Sequence, residues 1–339
     1  MQRDRPQGTI RPTVDFDASG KQVGHLNLPQ SEHDDAWGVV PIPVAVIANG
    51  SGPTVLLEGG NHGDEWEGPI TLCELVRDLD PGEVQGRLIV LPAINWPAVA
   101  AARRTSPLDG KNMNRCFPGD PLGTATDQIV AYVNDVLFPM ADAFLDLHSG
   151  GSSLDILPSA ILEAAPDPEH TALNRAAAAA FGTDNVVAID NRGDPRTATA
   201  AAVRAGLTVV GTEMAGAGTV SIDAVELCRR GVRNVLAHLG VLPARFGQPR
   251  TAPANMLVLG DDAHLLSPVH GVFEPLHELG ASVRAGDSVG RIHDLADMLA
   301  PPRVLTAACD GVVFGHRHPG AVKPGGCCVV VAKPEPENS

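Results

Sequence analysis

The sequence predicts an α/β fold, a mixed but mainly parallel sheet flanked by helices, followed by a smaller C-terminal all-β domain. Three observations predict it. Between residues 53 and 241, short β-branched runs alternate with longer helical patterns, as a parallel sheet covered by helices requires. Several of those runs end in glycine-containing loops that carry polar residues, and open α/β sheets form their sites at such ends. Past the proline- and arginine-rich segment "LPARFGQPRTAPAN" at residues 242–255, the pattern changes to short strands and turns.

The elements follow in order. The N-terminal 50 residues read as strands and turns, an antiparallel edge to the main sheet. "TVLLEGG" reads as a buried strand. Ile70, Leu72, Leu75, Val76 and Leu79 then recur at three- and four-residue spacing on one helical face, and "LDPGE" stops that helix. "GRLIVLPAINW" is a second strand. Ile129, Val133, Val136, Leu137 and Met140 make a further helical stripe before "AFLDLHSGG", a strand running into a glycine turn. An alanine-rich helix over 173–181 precedes the strand "NVVAID", and "LTVVGTEMAGAG" precedes a helix in "SIDAVELCRRGVRNVLAHLG". The resulting division is an α/β domain over 1–243, its N-terminal β segment included, and a β-barrel or sandwich over 255–335. The latter contains two loosely similar halves, each opening on Gly-Val and carrying a glycine turn.

Composition narrows the function. With 339 residues, 44% apolar and 19% charged, the chain supports a packed core. A net charge of −15 repels phosphate backbones and anionic lipid, so neither nucleic acid nor a membrane surface is an expected partner. An anionic substrate must therefore meet locally placed arginines. The six cysteines form no C-x-x-C pair, which favours reduced, mostly buried thiols and a cytoplasmic location. The N-terminal stretch lacks the apolar region of a signal peptide, and no uninterrupted apolar run reaches the length of a bilayer span. Assembly into a homo-oligomer stays open.

The chemistry concentrates in "EGGNHGDEWEGP", residues 58–69. His62 and Glu65, two residues apart in a loop after a strand, let an imidazole nitrogen and a carboxylate oxygen converge on one small cation. His148, at the strand end in "LDLHSGG", is placed to supply a third ligand. Two histidines and a glutamate with one open position form a ligand set for one catalytic Zn2+ ion, whose water becomes a nucleophile near neutral pH.

At these residues the chain resembles the succinylglutamate desuccinylase and aspartoacylase family, zinc amidohydrolases related to the zinc carboxypeptidases. The matching strings are "GGNHGDEWEGP" for G-x-H-G-x-E, "NMNRCFPG" for N-R-x-F-P-G, "LDLHSG" for D-x-H, and "TEMAG" for the strand with the catalytic glutamate. They occur in the family's order across most of residues 50–240.

The resemblance implies that His62, Glu65 and His148 bind zinc and that Glu213 takes a proton from the zinc-bound water and returns one to the leaving amine. It implies a substrate-carboxylate pair in Asn114 and Arg115, an asparagine amide beside a guanidinium fork. Arg104 would stabilise the tetrahedral oxyanion. The spacing from Arg104 to Asn114 is longer than in shorter aspartoacylase-like motifs, and Arg103 adjoins it, so either arginine could serve. Asp146, two residues before His148, fits either an acceptor orienting the imidazole or a core hydrogen-bond role. Asp64 and Glu67 read as structural.

Within the family, "AWG", "RRTSPLDGKNMNRCFPG", "HSGGSSLDILP" and "RGVRN" are most similar to the branch that deacetylates N-α-acetyl-L-2,4-diaminobutyrate in ectoine breakdown. A small N-acyl amino acid is thus the implied partner, with acetate and 2,4-diaminobutyrate as products. The single tyrosine, Tyr132, departs from aspartoacylases whose substrate contacts are tyrosine-based. A free side-chain ammonium needs an acid, and Asp155 is the expected one. "SVRAGDSVGRI" resembles the half-barrel of biotinyl and lipoyl carriers, but no lysine stands at the hairpin between the halves, and the family implies a cap over the active site instead. His316 and His318 in "GHRHPG" read as solvated turn residues. The alternatives are aspartoacylase or succinylglutamate desuccinylase activity, a carboxypeptidase-like peptidase, or a non-catalytic binding protein. The presence of His62, Glu65, His148 and Glu213 argues against the last.

Overall fold

A computed structural model describes residues 8–31, 35–189 and 194–336. Three strands lead: β1 (Arg11–Pro12), β2 (Gly20–Pro29) and β3 (Val39–Asn49). The α/β portion continues with β4 (Thr54–Gly59), α1 (Glu67–Asp78), β5 (Gly86–Leu91), α2 (Trp96–Ala100), α3 (Ala125–Tyr132) and β6 (Ala143–His148). It is completed by β7 (Leu154–Ile156), β8 (Ser159–Glu163), α4 (Pro168–Phe181), β9 (Asn185–Ile189), α5 (Ala198–Arg204), β10 (Thr208–Glu213), α6 (Ile222–His238) and β11 (Asn255–Val258). Then come β12 (His264–Leu266), β13 (Gly271–Pro275), β14 (Ser282–Val283), β15 (Ser288–His293), β16 (Arg303–Thr306), β17 (Gly311–Arg317), β18 (Ala321–Val322) and β19 (Cys327–Pro334).

The large sheet runs β1-β2-β3-β5-β4-β6-β10-β8-β9-β11-β19-β17-β14. Its centre, β5-β4-β6-β10, is parallel, and β8 pairs antiparallel with β10 and parallel with β9. The N-terminal strands pair antiparallel with one another and with β5. All six residues of β4 and of β6 are buried, as expected for strands covered on both faces. One face packs against α1, α4 and α6 through Leu72, Leu75, Phe181, Val232 and Leu236. The other packs against α3 and α5 through Ile129, Val130, Ala198 and Ala202, giving three layers.

Helix ends carry their own signals. Asp167 caps α4, with Pro168 in its first turn and Gly182 at φ 91° just past its end. Ser221 caps α6 by accepting from the Ala224 N–H at 3.3 Å. The stripe from Ile129 to Met140 is one continuous helical path but not one α-helix: after α3 it passes through a π turn at Val133–Leu137 and a 3-10 turn at Phe138–Met140. Pro139 cannot donate to the helical ladder, which accounts for the change of winding. "GRLIVLPAINW" ends as a strand at Leu91, where Pro92 withdraws a donor, and Trp96 already opens α2. Asp190, the last residue read into the "NVVAID" strand, lies outside the described residues.

The C-terminal strands form a second, four-stranded antiparallel sheet, β16-β15-β13-β18, facing β12, β14, β17 and β19. They also extend the main sheet. β11 pairs parallel with β9 and antiparallel with β19, while β7 pairs with β17. Among the described residues no helix is long and apolar enough to cross a membrane.

Candidate active site

The site lies at the carboxyl ends of β4, β6 and β10. β4 stops at Gly59, and Gly60 turns the chain with φ 68°, a left-handed conformation glycine tolerates. The loop that follows carries His62 and Glu65. It lies flat on α2 because Gly63 has no side chain, and a Cβ there would stand 2.0 Å from the Ala98 carbonyl carbon. The Gly63 N–H donates to the Arg103 carbonyl at 2.9 Å and the Arg103 N–H to the Ala98 carbonyl at 3.0 Å. One small patch of backbone therefore sets both the His62–Glu65 loop and the start of the Arg104 segment. Asp64 fastens this loop to the His148 turn by accepting from the Ser152 N–H at 2.9 Å and hydroxyl at 2.7 Å. Glu67 accepts from the Ser221 N–H at 3.1 Å, joining α1 to the cap of α6.

His62, Glu65 and His148 meet, all buried, with one potential ligand atom from each within 4.8 Å of the others. Glu65 joins the two rings, Oε1 lying 2.8 Å from His62 Nδ1 and Oε2 2.8 Å from His148 Nδ1. The outer nitrogens are also held: His62 Nε2 is 3.0 Å from Asn112 Oδ1, and His148 Nε2 is 3.0 Å from Asp146 Oδ2. In these hydrogen bonds each Nδ1 donates to Glu65; with a proton kept on each outer nitrogen instead, both Nδ1 lone pairs would face inward to a cation, the arrangement in which outer-shell acceptors orient metal-binding imidazoles. Burial acts to raise Glu65, but the charges and hydrogen bonds of the two histidines outweigh it and hold the carboxyl well below the usual range. Burial acts to lower His148, yet Asp146 and Glu65 raise it well above an ordinary histidine. His62 falls below it, burial outweighing the pull of Glu65.

Glu213 ends β10 in register with His148. Its Oε2 is sealed from solvent and has no hydrogen-bond partner among the described residues. Burial first, and the charge of Glu65 second, push its pKa up to about 8. Arg104, not Arg103, lines the cavity, with Nη1 3.2 Å from Glu65 Oε1. Asn114 and Arg115 also line it. The Asn114 Oδ1 accepts from the Ala198 N–H at the start of α5 at 2.8 Å, which turns its Nδ2 toward His148 Nε2, 3.4 Å away.

The cavity encloses about 440 Å³. Its far wall is apolar, built by Ile156, Ile161, Ile189 and Leu259 with Phe314 and Val330 from the C-terminal strands. Asp155 is not brought into it. Strand alternation in β7 turns Leu154 and Ile156 toward the cavity, and Asp155 sits opposite His316 of β17, outside the lining. Sequence reasoning missed Asn112, although it stands two residues before Asn114 in the quoted string, and it missed the segment opening α5.

A parallel-sheet scaffold whose neighbouring strand ends carry a buried His–Glu–His cluster and a buried catalytic-type carboxyl has the make-up of an amide hydrolase. The chain belongs to the succinylglutamate desuccinylase/aspartoacylase family: residues 51–239 match the model of its catalytic domain. It is 40% identical over 334 residues to the N-alpha-acetyl-L-2,4-diaminobutyric acid deacetylase of Halomonas elongata, covering 98% of this chain and 96% of that one. The product-bound structure of the ectoine utilization protein EutE (DoeB) from Ruegeria pomeroyi is 40% identical and superposes with a TM-score of 0.92, covering 97% of this chain and all of that one. A succinylglutamate desuccinylase/aspartoacylase from Rhodobacter sphaeroides gives 41% identity and a TM-score of 0.91 over 97% of this chain and 99% of its own. The expected fold class and family are borne out, and the protein is a deacylase.

Proposed function

We propose that this protein is a zinc-dependent deacetylase that converts N-α-acetyl-L-2,4-diaminobutyrate to acetate and 2,4-diaminobutyrate in ectoine breakdown. The observation that carries this reading is the likeness to the Halomonas elongata deacetylase, which extends through the C-terminal strands as well as the catalytic domain.

The donor set fits zinc. Two inward imidazole nitrogens and one carboxylate are gathered in a buried site, each imidazole backed by an oxygen acceptor. His62, Glu65 and His148 would hold the ion, which when bound supplies Lewis acidity and lowers the pKa of water. Glu213, raised toward neutral pH, is suited to take a proton from water and to return it to the leaving nitrogen. Arg104, anchored at 3.2 Å on Glu65, directs positive charge toward the oxygen on which charge develops, a contribution of about 3 kcal/mol. Arg115 and the Nδ2 of Asn114 hold the α-carboxylate.

The test is a product assay with acetyl, succinyl and aspartyl-type substrates, with Glu213→Ala as the blank. Acetate release from N-α-acetyl-diaminobutyrate that drops at least a hundredfold in the variant supports the reading. Equal release from both proteins overturns it.

A further inference from the structure

Residues 194–198, which lead into the first turn of α5, touch both members of the proposed carboxylate pair. The Ala198 N–H fixes the Asn114 amide, as described. Asp194 Oδ2 lies 3.6 Å from Arg115 Nε, and the Arg196 carbonyl accepts from the Phe117 N–H at 3.2 Å, tying the same segment to the chain just after Arg115. Asp194 is itself clamped: Arg196 Nε and Nη2 each donate to it at 2.9 Å, one to each carboxylate oxygen.

We infer that Asp194 is a positioning residue for substrate recognition, aligning the Arg115 guanidinium for the α-carboxylate of the substrate. The inference rests on the role proposed above for Arg115. Asp194 approaches Nε, and Nη1 donates to the Asn114 carbonyl at 2.5 Å, while Nη2 has no partner among the described residues. The outer edge of the fork is therefore left for a ligand, and Asp194 orients the group without competing for that edge. It also offsets repulsion, because Arg104 and Arg196 both lie close enough to Arg115 to act on it. Half-buried Arg115 keeps its place beside Arg196 through Asp194, the carboxylate those two share. Arg196 is largely exposed, so its bidentate clamp serves chiefly to fix the orientation of Asp194.

The experiment compares wild type, Asp194→Asn and Asp194→Glu on N-α-acetyl-2,4-diaminobutyrate and on its α-carboxamide, with melting temperature and metal content measured for each. Loss of one ionic orienting contact predicts a KM roughly threefold to tenfold higher in Asp194→Asn for the acid only. The kcat stays within about twofold, the carboxamide is unaffected, and Asp194→Glu recovers part of the loss. An unchanged or lower KM for the acid, or an equal rise for acid and amide, overturns the inference. If Asp194→Asn does not fold, Arg196→Ala, which frees Asp194 from the exposed side, must show the same acid-selective rise. Calorimetric binding of 2,4-diaminobutyrate and its amide separates the two levels of the argument. If wild type releases no acetate, the proposed reaction fails, whereas the positioning role stands or falls on whether Asp194→Asn weakens binding of the acid alone.

Discussion

Glu58 shows how much polar chemistry is sealed beneath this site. It is the last residue but one of β4, in register with Asp146 of β6. Its Oε1 accepts from Asn61 Nδ2 at 2.9 Å, while Oε2 is buried and without a hydrogen-bond partner among the described residues. Burial, reinforced by Asp146, pushes its pKa up to about 8 from an ordinary 4.5. Between those values the folded chain holds a proton that the unfolded chain has lost, so the contribution of Glu58 to stability is full below pH 4.5 and is lost as pH rises to 8. Linkage sets the slope for one such group at no more than roughly 1.4 kcal/mol per pH unit. Glu213 contributes in the same direction. In metal-free protein, urea unfolding between pH 5 and pH 8.5 should show wild type losing stability faster than Glu58→Gln. An amide keeps the acceptor for Asn61 and carries no titratable proton. Identical slopes would show that Glu58 is ionised in the fold. At this scale the His62–Glu65–His148 cluster was legible because histidine and glutamate are conspicuous in a glycine loop. The placement of Asp155 outside the lining was not legible, because alternation in a three-residue strand is not readable until its partner, β17, is known.

Single elements explain both what the sequence disclosed and what it hid. β4, β6 and β10 are uniform apolar runs ending in glycine and polar residues, so strand and site were visible together. α5 was hidden because the residues it buries are Ala198, Thr199, Ala201, Ala202 and Val203, mostly small, which give no stripe of large side chains. β7 and β8 were hidden by their length, three and five residues on either side of Pro158. Gly63 is the element-scale hinge of the site, since its missing Cβ lets the ligand loop rest on α2. Gly63→Ala has backbone atoms within van der Waals overlap and no flexible side chain to displace. The variant should lose about 3 kcal/mol or more and bind metal at least tenfold more weakly, because the loop and the Arg104 segment must separate. Thermal melts and metal competition check this; a variant with wild-type melting and affinity would mean that the loop does not rest on α2 as described.

Across the whole molecule, the catalytic sheet and the C-terminal strands share one hydrogen-bonded surface through β9, β11 and β19. They also share a core in which Phe314 and Val330 pack with Ile156, Ile161 and Val187. The change in composition near residue 242 was visible in the sequence, but this joining was not, because strand pairing across 70 residues leaves no local pattern. Phe314→Ala removes a 4% exposed side chain from that shared core and from the cavity wall at once. It should cost about 3–5 kcal/mol and raise KM, read by urea unfolding and by steady-state kinetics. A loss of stability with unchanged KM would separate the wall from substrate binding. The central claim, that His62, Glu65 and His148 gather one divalent ion on which deacylation depends, is tested most directly by following acetate release during chelation and stepwise return of zinc. Activity should fall to the level of Glu213→Ala and recover fully at one equivalent per chain; hydrolysis that survives complete removal of metal would contradict it.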